Sequence, residues 1–150
     1  EAMGATVVFT LSGVKDDKTA TERVRILNNG SAEIAVRIEC NSVRSSETRG
    51  AMAWVPEKHD KKAECDKLAS AVLTAYVEAT GLPLREVKDK SIIVKTDETF
   101  LNNTKAPVFT LFLGHISNSA EDKKINSEQF QQTMAQGIVN GILKYLGVNQ

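Results

Sequence analysis

The sequence predicts a three-layer α/β domain in which helices flank a mixed, mostly parallel sheet. Runs rich in β-branched and aromatic residues alternate along the chain with segments at helical spacing, the order expected of strands and helices packed in layers. Residues 108–113 are apolar on both faces, as in a strand buried on both sides at the centre of a parallel or mixed sheet. The long segments near residues 60–80 and 127–146 each carry an apolar stripe and stop at a glycine, so each has one face to lay on that sheet.

Taken in order, residues 5–11 read as a strand and residues 15–18 as a charged loop. Thr19, Ala20, Thr21 and Glu22 form an S/T-x-x-E capping box that opens a helix running to about Asn28, and Asn28, Asn29 and Gly30 tolerate a left-handed stop. Residues 33–40 alternate around Ile34, Val36 and Ile38, which predicts a half-buried strand, and residues 51–55 form a short strand ahead of Pro56. Leu68, Val72, Leu73, Tyr76 and Val77 share one face of the helix near 60–80, which ends at Gly81. Residues 91–95 are a further strand. Asn126 or Ser127 caps the last helix, Phe130, Met134, Ile138 and Ile142 form its stripe, and Gly147 is its stop. Glu1, Ala2, Met3, Gly4 and Ala5 read as the last turn of a helix passing into a strand, so the native start is expected upstream of Glu1.

The 150 residues, 41% of them hydrophobic and 25% charged, suffice for the core of a single domain over residues 1–150. Nineteen basic residues balance 19 acidic ones, which argues against long-range attraction to nucleic acid or to an anionic membrane. No apolar run approaches the length of a membrane span and no signal peptide is visible, so a soluble chain is expected. Cys40 and Cys65 lack metal-binding spacing; they read either as two partly buried thiols or as one bridge permitted outside the cytoplasm.

Residues 106–118, A-P-V-F-T-L-F-L-G-H-I-S-N, resemble the strand P-x-x-L-x-E-x-G-F-x-S-N of the zinc-dependent N-acetylmuramoyl-L-alanine amidases, which cleave the bond between the glycan and the stem peptide of peptidoglycan. The resemblance extends along the chain. Val7 to Thr10, Thr19 to Asn28 and Ala32 to Ser42 are similar to the family's run v-x-x-T-R, L-x-x-R-x-x-x-x-N and A-D-x-x-V-S-I-H-A-N, with Arg23, Asn28, Ala32, Val36, Ile38 and Asn41 matching in step. Cys65 to Gly81 is similar to the helix before the family's R-G segment, where Arg85 is kept and Glu86 replaces glycine. Asn118 through Ile125, Phe130, Gln131, Ala135 and Ile138 to Gly141 and Ile142 resembles the closing helix.

The resemblance implies a zinc ion held by two histidines and a glutamate, with a second carboxylate to handle the proton of the metal-bound water. The family's first histidine, in a G-H-G-G turn, and its glutamate ligand fall before the point where this chain begins. Its second histidine falls on Glu39 within Ile38, Glu39, Cys40 and Asn41, and its catalytic glutamate falls on Phe112, whose phenyl ring accepts no proton. No catalytic residue, no metal ligand set and no cofactor are therefore predicted, and Glu39 reads as a carboxylate paired to a cation or solvated at the mouth of a vestigial cleft. Arg85, on a loop after Pro83 and Leu84, is the first candidate for ligand contact, since a guanidinium fork suits the carboxylates of a peptide stem. Glu39, Asn41, His115 and Arg23 are the others; His115 reads more readily as a ring packed beneath a loop, and Arg23 as a helix-surface or buried ion pair. His59 lies in a charge run at a helix start and is assigned no chemistry.

The functional expectation is a cell-wall domain outside the bacterial cytoplasm that binds peptidoglycan fragments, muropeptides or a partner protein without catalysing hydrolysis. The alternative is a fragment or variant of an active zinc amidase. In the resembled fold the strand ahead of this chain's start lies inside the sheet, so an open strand edge is expected, covered by a substitute strand, a protein partner or a second copy.

Overall fold

The computed structural model of the chain describes residues 4–13 and 15–148. In order, its elements are α1 (Ala20–Asn29), β1 (Ala35–Asn41), β2 (Met52–Pro56), α2 (Lys62–Thr80), β3 (Ile92–Lys95), α3 (Thr99–Asn103), β4 (Val108–His115), α4 (Ser119–Ile125) and α5 (Glu128–Leu146). The strands align as β1-β4-β2-β3, with β1–β4 and β2–β3 parallel and β2–β4 antiparallel. The mixed, mostly parallel sheet between helices is therefore present. The apolar run of residues 108–113 lies in β4, which has strand neighbours on both sides.

Alternation along β4 divides its side chains between two layers. Phe109 and Leu111 join Ala53 and Val55 in a core closed by Leu68, Val72, Leu73 and Tyr76 of α2 and Met134 of α5. On the other face Val108 packs with Val24 and Leu27 of α1, Phe100 and Leu101 of α3, and Ala35. Thr19 and Glu22 form the capping box at α1, and Gly81 and Gly147 end α2 and α5 with φ of 65° and 70°.

Several expectations are corrected. Residues 5–11 form no strand, because β-branched composition yields a strand only where a ladder partner is available. Phe9 is 81% exposed, and the contact that ties this stretch to α1 is the 3.3 Å bond from Arg23 Nε to Thr10 Oγ1. Gly4 and Ala5 are not helical, and Glu1 to Met3 lie outside the described residues. Gly30 ends α1 in the right-handed region, and the left-handed residue is Ser31, with φ of 52°. Ser127 caps α5, while Asn126 closes the separate helix α4.

The thiols of Cys40 and Cys65 are both free. Cys65 Sγ accepts the Val108 amide at 3.3 Å at the start of β4, whereas Cys40 precedes Asn41, which pairs with His115 at the far end of that strand. Seven strand residues separate those ends, on the order of 20 Å at about 3.3 Å each, far beyond the reach of a disulfide.

The predicted stripe of α5 meets the core, but its closest approach to α2 is made by two glycines. A Cβ on Gly141 would stand 2.4 Å from Val72 Cα, and one on Gly137 would stand 3.1 Å from Tyr76 Cα. Those contacts are to backbone, which cannot swing aside. We expect Gly141→Ala to lose about 2 kcal/mol despite its better helix propensity, lowering Tm by about 4–8 °C. A thermal scan in which the variant matches or exceeds the parent would contradict this packing.

Candidate functional site

The face of the sheet opposite α2 and α5 is only partly clothed, by α1 and the five-residue α3. Strand register composes two rows across it. Glu39 of β1 lies opposite Phe112 of β4, which lies opposite Met52 of β2; the next row runs Arg37, Thr110, Trp54 and Ile93. Side chains in register share a face, so these two rows line one surface.

Arg37 organises the β1 side. Its side chain is 8% exposed, and a guanidinium so placed needs partners for its donors. Nε lies 3.0 Å from Thr110 Oγ1 and 3.1 Å from Glu39 Oε1, and Nη1 donates to Glu98 Oε1 at 2.7 Å. Glu98 Oε2 in turn accepts the Leu101 amide at 2.9 Å and caps α3. The guanidinium carbons of Arg37 and Arg23 each stand 5.2 Å from the centroid of the Phe100 ring. Glu39 keeps a side chain 39% exposed, so the pair is buried on the arginine side and open on the carboxylate side.

Phe112 is 4% exposed and meets Trp54 edge to face, with centroids 4.6 Å apart and planes at 65°. The Lys95 ammonium stands 4.3 Å from the Trp54 ring centroid. A charged network and an aromatic pair thus lie side by side, divided by the line between β1 and β4.

The donor chemistry around Glu39 does not fit a zinc ion. Zinc takes three protein ligands and an open position at a hydrolytic site, whereas the Glu39 carboxylate is engaged by Arg37 and its cross-strand neighbour is a phenyl ring. Among the described residues no three His, Cys, Asp or Glu side chains gather at one point.

The remaining candidates lie beyond this face. Asn41 pairs in register with His115; its Oδ1 accepts the Ser42 amide at 2.8 Å and its Nδ2 lies 3.8 Å from Met52 Sδ, so it shapes the end of β1. His115 is fully buried, with Nδ1 3.1 Å from the Gly50 carbonyl oxygen. A carbonyl only accepts, so Nδ1 carries the proton and Nε2 of the neutral ring is a buried acceptor without a partner among the described residues. Glu121 ties the same knot, accepting the Gly50 amide through Oε1 and the His115 amide through Oε2, both at 2.8 Å. Arg85 is half-buried, donating to the Glu86 carbonyl at 2.9 Å. Its amide bonds the Ala51 carbonyl at 2.7 Å, and Gly50, at φ 102°, leaves no room for a Cβ against Pro83. His59 has a structural part: Nε2 lies 2.6 Å from the Thr104 carbonyl oxygen, and Nδ1 accepts the Lys61 amide at 2.9 Å.

Sequence reasoning thus missed Arg37, Glu98, Trp54, Lys95 and Glu121. Arg37 and Glu39 carried a signal, since residues two apart on a strand share a face. Glu98 carried none, because its tie to Arg37 crosses 61 residues of sequence.

The mixed sheet between two layers of helices defines the class of the domain as three-layer α/β. The family model for N-acetylmuramoyl-L-alanine amidases matches residues 1–144, and the chain belongs to that family. It is 23% identical over 124 residues to the germination-specific N-acetylmuramoyl-L-alanine amidase of Bacillus subtilis, matching 83% of this chain and 49% of that protein. It is 30% identical over 127 residues to the B. subtilis protein YqiI, matching 85% of this chain and 58% of that one. The chain thus spans about half the length of these two relatives. Among solved structures, the catalytic domain of the amidase CwlV from Paenibacillus polymyxa superposes with a TM-score of 0.80 at 28% identity, covering 96% of this chain and 74% of that one. The CwlD amidase of Clostridioides difficile, solved in complex with the GerS lipoprotein, shares the fold with a TM-score of 0.81 at 23% identity, covering 99% and 79%.

Burial pushes the His115 pKa below the usual histidine value; the nearby Glu121 carboxylate and the Gly50 carbonyl oppose the shift, and Arg85 adds to it. The folded state therefore binds this proton less readily than the unfolded chain. Stability from His115 is fully present above the unfolded value near 6.5 and is lost as pH falls below it toward the folded value. His115→Asn keeps a donor for Gly50 and removes the titration, so we expect its unfolding free energy to fall less than the parent's between about pH 7.5 and 5. Equal pH slopes in denaturant titrations would contradict this.

Proposed function

We propose that this chain is a non-catalytic member of the amidase family that binds peptidoglycan fragments outside the bacterial cytoplasm. The single observation that carries the reading is the Glu39–Phe112 pair. The family resemblance assigns a metal-binding histidine and a catalytic glutamate to these positions, and here one holds a carboxylate ion-paired with Arg37 and the other a ring packed on Trp54. Family membership supports a cell-wall ligand, and no helix among the described residues is long and apolar enough to cross a membrane.

Removing a proton-transfer group costs roughly a hundred- to ten-thousand-fold in rate, and without the metal's ligand set there is no Lewis acid to polarise the amide. We therefore expect purified sacculi incubated with the chain and zinc to release no stem peptides. Phe112→Glu alone is expected to leave that result unchanged, because it supplies a base without the metal. Stoichiometric zinc, together with chelator-sensitive peptide release from the unmodified chain, would contradict the proposal and favour a working amidase that draws ligands from further sequence.

The reading includes a partner for the sheet. Among the described residues β1 pairs with β4 alone, so its outer edge is open to a further strand. A second copy of the chain, or a partner protein such as the lipoprotein that accompanies the C. difficile amidase, would cover it. Sedimentation of the 150-residue chain alone is expected to show association above the monomer; a monomer throughout the micromolar range would contradict self-pairing.

A further inference from the structure

Lys95 is the feature of the open face that the foregoing reading leaves without a part. Its side chain is half-buried and its ammonium lies over the Trp54 ring, yet among the described residues no carboxylate comes within ion-pair distance of it. By contrast, Arg37 on the same face is ion-paired with Glu39 and Glu98 and hydrogen-bonded to Thr110. An ammonium part-desolvated by an aromatic ring and left without a counter-ion attracts an anion, and the ring beside it offers an apolar surface to whatever carries that anion.

The surroundings narrow the ligand. The opposite face of the sheet carries two 19-residue helices, and on this one Trp54, Ile93, Lys95 and Glu39 stay partly exposed. Three strand spacings of roughly 4.8 Å put the β1 and β3 backbones about 14 Å apart. An extended peptide of four residues spans about 13 Å. A short peptide laid across the strands would thus bring a terminal carboxylate to Lys95 while its body rested on the partly exposed Trp54 and Ile93.

We propose that Lys95 and Trp54 form a subsite for the carboxylate end of a short peptide, the ammonium pairing with the carboxylate and the indole packing the residue that bears it. This rests on the reading of the chain as a binder of peptidoglycan fragments and assigns that ligand's contact. No bond is made or broken at the subsite.

Trp54 is the single tryptophan of the chain, so its fluorescence reports this place alone. The parent chain and Lys95→Gln would be titrated with a soluble muramoyl peptide ending in a free carboxylate and with the same compound amidated at that end, while calorimetry records total binding. We expect a saturable change in Trp54 emission, and an affinity weakened about tenfold or more by either the amidation or the substitution, as for loss of a hydrogen bond to a charged group. Equal affinities for the two compounds, an unaffected Lys95→Gln, or heat of binding without a change in emission would overturn the subsite. Cosedimentation with intact sacculi separates the two claims. Sacculi bound equally by the parent and by Lys95→Gln would leave the binding function standing and sink the subsite. Sacculi left unbound while the free peptide still quenches Trp54 in a Lys95-dependent way would sink the function and leave the subsite.

Discussion

The exposed face of this protein depends on one buried charge. Arg37 sits in an interior row of the sheet, and a guanidinium there is tolerated because Thr110 and Glu98 accept its hydrogen bonds and Glu39 and Glu98 balance its charge. Breaking a buried ion pair from one side typically costs about 3–5 kcal/mol, since the other charge is left uncompensated. The constraint therefore spreads: β1 is held to β4 through Thr110, α3 is fixed through the Glu98 cap, and Glu39 is drawn toward the arginine. A glutamate held in this way differs from a free ligand, because whatever competes for it must also leave Arg37 without one of its bonds.

Phe112 follows from the same arrangement. Next to a bonded carboxylate and on the central strand, an apolar ring fills the space between Glu39 and Trp54 without a polar atom to satisfy, and its edge-to-face contact fixes the indole. A carboxylate in its place would face Glu39 directly across the ladder, where like charges destabilise each other. Glu39 and Phe112 are thus compatible with each other, and a glutamate introduced at position 112 alone is disfavoured.

Much of the fold was legible because it rests on local rules. The Thr19 to Glu22 capping box, the glycine stops at Gly81 and Gly147 and the two-faced apolar run of β4 are short-range patterns with a direct physical meaning. The failures fall where the deciding partner is distant or absent. Residues 5–11 have strand composition but no ladder, α3 and α4 are too short for a helical period to register, and the Cys40–Cys65 question turned on opposite ends of one strand. At the site, the mismatch with the family pattern at positions 39 and 112 rests on the resemblance alone. That Glu39 would be held by Arg37, and that Trp54 would stand under Lys95, depended on strand order, which the sequence does not spell out.

The central claim is that an arginine–carboxylate ion pair stands where the family resemblance places a metal ligand. It is tested most directly by diffraction from crystals of this chain grown with zinc, with data collected on both sides of the zinc absorption edge. The account predicts Arg37 Nε donating to Thr110 Oγ1 with Glu39 Oε1 ion-paired 3.1 Å away, and no anomalous density beside the carboxylate. An anomalous peak about 2 Å from a Glu39 oxygen, with Arg37 turned away, would contradict it.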